Sequence, residues 1–100
     1  MGIRFVDLAT AWPAAISAGA TWNRDLIYLR GRGIGEEAKG KGVHVILGPA
    51  VGPLGRQPKG GRNWEGFAAD PYLLGEAAFQ GVSVCAPGPP TSMPDLGWLR

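Results

Sequence analysis

Gly42-Val43-His44-Val45-Ile46-Leu47-Gly48-Pro49 is the stretch on which the reading of the fold turns. Val43 to Leu47 is short, rich in β-branched residues and bounded by glycines, which predicts a strand. A nearly continuous apolar run of this kind fits a strand buried on both faces of a parallel sheet. His44 lies inside the run and reads as a core histidine rather than a ligand. The sequence has a single His and a single Cys, so no pair stands at metal-ligand spacing.

Upstream, residues 23–40 carry the pattern of a helix. Asn23 suits the N-cap, and Asp25 falls in the first turn, where the helix dipole favours an anion. Ile27, Gly31, Ile34 and Ala38 recur at helical spacing as a narrow apolar stripe. Lys39 lies in the last turn and Gly40 suits the stop. Gly31, Gly33 and Gly35 each weaken a helix by roughly 1 kcal/mol relative to Ala, so a close neighbour is expected there. The three glycines are not a dinucleotide fingerprint, because they lie within a helix and follow no strand.

Helix, short turn, buried strand and long loop is the order of an α/β fold. In such folds ligands bind beyond the C-terminal ends of the strands. The long Gly/Pro loop from Gly48 to Lys59 falls at that place, and a loop of this length in a compact protein is usually functional. It leads into Gly60-Gly61-Arg62-Asn63-Trp64-Glu65-Gly66-Phe67, which sets a guanidinium, an amide, an indole and a carboxylate between glycines. Arg62 and Arg56 suit a carboxylate, a phosphate or vicinal hydroxyls; the competing reading makes them braces of the loop. Glu65 reads as a structural ion-pair partner rather than a catalyst, since one lone carboxylate is not an acid–base pair.

A second helix is predicted from Asp70-Pro71, an N-cap followed by proline at the first helical position, to about Gln80. Before the first helix, Gly2 to Phe5 reads as a strand end or loop and Trp12-Pro13 as a turn. Ala14 to Ala20 suits a short buried strand, though of weak β propensity. Trp12, Trp22 and Trp98 read as packing residues. Residues 83–100 are broken by Pro87, Pro89, Pro90 and Pro94 and read as an irregular tail.

Composition narrows the function. One hundred residues make one domain or part of one, with 45% hydrophobic and 18% charged residues. That is not a disordered composition. A net charge of +2, with acidic residues interleaved, gives no case for nucleic acid. The single Cys85 excludes an internal disulfide. No run is long enough for a transmembrane helix, and no signal region is visible at the N-terminus. No cofactor, metal or membrane is expected.

Several blocks, in order, resemble one family. These are Ala20-Thr21-Trp22-Asn23-Arg24-Asp25-Leu26, Lys41 to Pro49, Gly52-Pro53-Leu54-Gly55-Arg56, Gly60 to Phe67, and Asp70-Pro71-Tyr72-Leu73. Together they resemble the N-terminal barrel of fungal β-glucosidases of glycoside hydrolase family 3. The resemblance covers about residues 2–82 and implies part of a (β/α)8 TIM-type barrel, with about two helices and two to three short strands. It implies an exported parent enzyme that removes terminal β-linked glucose from cello-oligosaccharides and aryl glucosides with retention. By the same resemblance Arg62 and Arg4 match two arginines that hydrogen-bond the glucose next to the scissile bond.

The departures set further expectations. A sugar-gripping aspartate of the family precedes the start of this chain, and the nucleophile and acid/base have no counterpart in it. Gly81 to Ala86 looks like a shortened strand that leads in the family to a Lys-His pair, where Pro87-Gly88 stand here. The chain is therefore expected to be a fragment: residues 1–82 part of the barrel, residues 83–100 a divergent tail. No catalytic residue is expected on it, and it should be inert alone. The alternative is a small anion- or carbohydrate-binding module that uses the basic Gly/Pro loop through Arg56, Lys59 and Arg62.

Overall fold

The computed structural model describes residues 2–52 and 57–84. Three α-helices and one 3-10 turn form within them: α1 Ala15–Gly19, α2 Arg24–Gly40, the 3-10 turn Pro58–Gly60, and α3 Pro71–Ser83. Residues 85–100 of the predicted tail, Cys85 among them, and loop residues Pro53 to Arg56 lie outside the described residues.

α2 begins as its sequence directs. The Asn23 side chain accepts from the backbone N–H of Asp25 (2.9 Å) and Leu26 (3.2 Å), a cap worth about 1 kcal/mol. The C-terminal end differs from expectation. Gly40 is still helical, Lys41 is the C-cap, and the left-handed residue is Gly42 at φ +72°. α3 starts with Asp70 capping the N–H of Tyr72 at 2.8 Å and with Pro71 in the first turn. It runs three residues past the predicted Gln80, so Gly81 to Ser83 are helical and not the start of a strand. Gly81 is the reason: a Cβ on Gly31 would meet the Gly81 carbonyl oxygen at 3.1 Å and its Cα at 3.2 Å. The two helices cross there backbone to backbone, and that contact extends α3.

Residues 15–19 are helical rather than a strand. Alanine is the best helix former and a poor strand former, and here the local preference prevails. Ala15 and Ala18 face the core with Ile27, Phe67 and Ala77, and Leu74 packs against this cluster.

The predicted strand 43–47 does not form among the described residues. The segment has no regular structure, and Val45 and Leu47 are 74% and 97% exposed. His44 is exposed as well, not a core residue. A strand exists only as one side of a ladder, and no described residue supplies the other side. A single parallel bridge, Ala50 to Gly66, is what remains of the expected sheet. Gly2 to Phe5 is loop and bend.

The N-terminal segment lies along one face of α2. Arg30 Nε donates to the Pro13 carbonyl (2.8 Å), and Glu37 accepts from the Thr10 N–H (2.7 Å) and the Trp12 indole (2.9 Å). Lys41 Nζ donates to the Asp7 carbonyl at 2.5 Å. Positions 30, 37 and 41 share a helix face, as does Gly33. A Cβ at Gly33 would lie 2.2 Å from the Trp12 ring. The segment thus runs antiparallel to α2, and two of the three helix glycines are explained by neighbours.

Gly19 and Gly75 test this packing in opposite directions. A Cβ on Gly19 would meet the Phe67 carbonyl oxygen at 2.0 Å, whereas one on Gly75 would meet nothing within 4 Å. Gly19→Ala should lower stability by about 1–3 kcal/mol. Gly75→Ala, on an exposed face of α3, should raise it by about 0.4–1 kcal/mol. Urea titration followed at 222 nm measures both, and equal effects at the two positions would contradict the packing described.

Candidate functional site

The motif between Gly60 and Phe67 is built as two halves, a strained turn and a buried anchor. Gly61 (φ +66°) and Arg62 (φ +55°) are successive left-handed residues. Glycine adopts that conformation freely and arginine does not, so Arg62 is held there by its surroundings. The turn closes with the Glu65 N–H donating to the Arg62 carbonyl at 3.1 Å. Gly66 bridges to Ala50, and Phe67 enters the core with 2% of its surface exposed. The Ile16 N–H donates to the Trp64 carbonyl at 3.4 Å, which ties the turn to α1. Arg30 stacks over the Phe67 ring, its guanidinium carbon 5.9 Å from the centroid. Such a contact contributes about 0.5–1 kcal/mol. Burial holds the Arg30 pKa below the usual arginine value.

On the solvent side, Arg62 Nε and Nη2 both donate to Glu65 Oε2, at 2.9 and 2.6 Å. The hydrogen bond and charge of Glu65 raise the Arg62 pKa. The bond from Arg62 holds the Glu65 carboxyl below the ordinary glutamate range, its charge adds to this, and the charge of Arg4 adds a further contribution. The structure therefore joins Arg62 and Glu65 directly, and the charge of Arg4, sixty-one residues before Glu65 in sequence, is felt at the same carboxyl. Glu65 is an ion-pair partner, as its sequence context predicts. The Arg62 side chain is 74% exposed, and only two of its five N–H donors serve Glu65. The others face a ligand or water. The arrangement suits a polar, hydroxyl-bearing ligand better than an anion, because Glu65 already neutralises one of the cations that an anion would need. Arg56, the third cation of the anion reading, lies outside the described residues.

A cleft of about 590 Å³ opens elsewhere, between the α1–α2 turn and α3, and shares no lining residue with Arg62. Trp22 and Tyr72 flank it, and three of its polar side chains are engaged internally. Arg24 pairs with Glu76 at 2.9 Å, and Asn23 caps α2. The Arg62 group is the better candidate on chemistry.

Sequence reasoning did not single out Glu37 or Arg30. Glu37 was visible only as one of the interleaved acidic residues. The signal was the shared helix face of Arg30, Gly33, Glu37 and Lys41, which runs beside the better-marked apolar stripe.

Residues 1–84 match the family described as glycosyl hydrolase family 3 N terminal domain. The chain is 56% identical over 94 residues to a probable beta-glucosidase L of Neosartorya fischeri, covering 86% of this chain and 13% of that protein. It is 63% identical over 73 residues to a probable beta-glucosidase F of Aspergillus flavus, covering 73% of this chain and 8% of that protein. Among solved structures, a beta-D-glucoside glucohydrolase from Trichoderma reesei superposes with a TM-score of 0.79 at 51% identity. That match covers 84% of this chain and 12% of the enzyme. A beta-glucosidase from Chaetomium thermophilum gives 0.79 at 52% identity, over 84% of this chain and 10% of the enzyme. The chain thus spans about a tenth of the length of these relatives. Among the described residues no helix is long and apolar enough to cross a membrane.

The Arg62–Glu65 pair predicts a pH dependence. Because the Glu65 pKa is depressed in the folded chain, the pair's contribution is fully present above the ordinary glutamate value, about 4.3. It is lost as pH falls through the lower folded value. Carboxyl-carbon NMR should show Glu65 titrating below the ordinary glutamate value, and moving upward in Arg62→Ala. A midpoint that does not move in the variant would contradict the pairing.

Proposed function

The chain belongs to the family of the glycosyl hydrolase family 3 N-terminal domain, and on that premise we propose that it is part of a fungal β-glucosidase. In this reading residues 1–82 are a section of a (β/α)8-type barrel, residues 83–100 a divergent tail, and Arg62 and Arg4 form part of the glucose-binding subsite. The parent enzyme would be extracellular and would act on β-glucosides and cello-oligosaccharides in cellulose breakdown. The observation that carries the reading is the Arg62 fork, held by Glu65 on a strained, anchored turn with most of its donors open to solvent. A guanidinium fork fixed by a carboxylate can hold adjacent hydroxyls in one orientation, which is what positioning a sugar for reaction requires.

Retaining hydrolysis needs two carboxylates about 5 Å apart, one as nucleophile and one as acid/base. Glu65 pairs with Arg62 and offers no partner carboxylate, so the chain alone is inert in this reading. The exposed 43–47 segment fits the same view: its apolar side chains and backbone suit pairing within a larger sheet.

The purified chain should hydrolyse no aryl β-glucoside above a buffer control. The subsite is tested in a chimera in which residues 1–84 replace the matching segment of the Trichoderma reesei enzyme. There Arg62→Ala should lower kcat/KM by roughly ten- to several-hundred-fold, since donors to the sugar are lost. Arg62→Lys should recover only part, because a point charge cannot reproduce a fork. A folded Arg62→Ala chimera as active as its parent would overturn the assignment.

A further inference from the structure

The loop that carries Arg4 has little of its own to hold it in place. Gly2 and Thr10 touch at its base, where a Cβ on Gly2 would lie 2.1 Å from the Thr10 carbonyl oxygen. Between them the backbone turns through two left-handed non-glycine residues, Phe5 (φ 62°) and Leu8 (φ 55°). The side chains of both point to solvent, 101% and 95% exposed. A loop that spends backbone strain and buries neither of its large side chains stays ordered only through external contacts. Those contacts come from one face of α2. Glu37 supplies two, one carboxylate oxygen for the Thr10 N–H and the other for the Trp12 indole N–H. Lys41 holds the Asp7 carbonyl, and Gly33 receives the Trp12 ring.

Glu37 is the centre of this set. Its two oxygens reach the base of the loop from both sides of Ala11, and the indole bond to Glu37 fixes one end of the ring that lies on Gly33. Both bonds to Glu37 are charge-assisted, the stronger class of hydrogen bond. Lys41 and Arg30 act one turn and two turns away on single carbonyls. Removing either would free one point of the segment, whereas removing Glu37 frees the hinge.

We propose that Glu37 is a positioning residue: it anchors the loop Gly2–Thr10 on α2 and thereby fixes Arg4, which that loop carries. Glu37 itself is on α2, outside the Arg62–Glu65 pair, and acts on any ligand only through Arg4. The inference rests on the reading of Arg4 as a sugar-binding residue, and goes beyond it by naming what places that residue.

Two measurements test it. In the full 100-residue chain, amide hydrogen exchange at residues 4–12 should rise roughly ten-fold or more in Glu37→Ala. The rise should be smaller in Glu37→Gln, which keeps one acceptor oxygen, while residues 24–40 exchange as before. Glu36→Gln, which removes a surface partner of Arg32 one residue away, should leave the loop unchanged. Exchange that stays flat at residues 4–12, or rises equally across α2, overturns the proposal. In the chimera, Glu37→Gln should lower kcat/KM on an aryl β-glucoside by roughly ten-fold, and should cost nothing further once Arg4 is already alanine. A full additional loss in the Arg4→Ala background means that Glu37 acts on the fold at large, and overturns the positioning role. If Arg4→Ala alone is harmless, the sugar-site reading of Arg4 fails and takes the positioning role with it, even where the exchange result still shows Glu37 holding the loop.

Discussion

The burial of Phe67 is the contact on which the described structure depends. It is the largest side chain almost wholly removed from water among the described residues. It enters a core otherwise made of small residues, Ala15, Ala18 and Ala77, with Ile27. Its backbone carbonyl lies where Gly19 has no side chain, so α1 can approach only because that position is glycine. Its ring takes the Arg30 guanidinium above it and has Gly81 nearby. One aromatic residue thus joins three helices, and it also ends the Arg62 turn. Stability and the geometry of the candidate site therefore cannot be separated in this chain, since the plug that closes the core is the last residue of the Gly60–Phe67 motif.

α2 has a second role besides supplying the Ile27 side of the core. A neighbouring stripe, from Arg30 to Lys41, captures backbone carbonyls, an N–H and an indole of the segment before α1. Segments without regular structure keep their shape only when their polar groups find partners. Here the partners are side chains of a helix, which come at fixed intervals of one to two turns. The result is an irregular segment with the spacing of a regular one.

What could be read from the sequence follows from how local each signal is. Asn23 and Asp70-Pro71 marked the two long helices correctly, because a cap is a bond between residues two or three apart. Ala14 to Ala20 was legible in principle, since its alanines favour helix, but the run was short enough to suggest a buried strand. Gly40 was taken as a stop when the left-handed position was Gly42, a two-residue error of the usual kind at helix ends. The end of α3 was not legible at all: its continuation through Gly81 rests on Gly31, fifty residues earlier. The 43–47 segment failed for the opposite reason. Its residues are those of a strand, but a strand is a property of two segments, and the second is not among the described residues. Of the site, the adjacency of Arg62 and Glu65 could be read directly. The left-handed backbone at Arg62 required the fold.

The left-handed backbone at Arg62 has a consequence on the scale of descent. At most positions a side chain whose role has lapsed is replaced in no particular direction. At φ +55° the backbone itself prefers glycine, then asparagine, and resists arginine. Arginine persists there only while its side chain is useful enough to outweigh the backbone it sits on. Where selection for the fold persists but selection for this side chain has lapsed, replacement here would favour glycine or asparagine, which relieve the backbone. The arginine still present at position 62 is in that sense a record of how recently, or whether, selection for its side chain ceased.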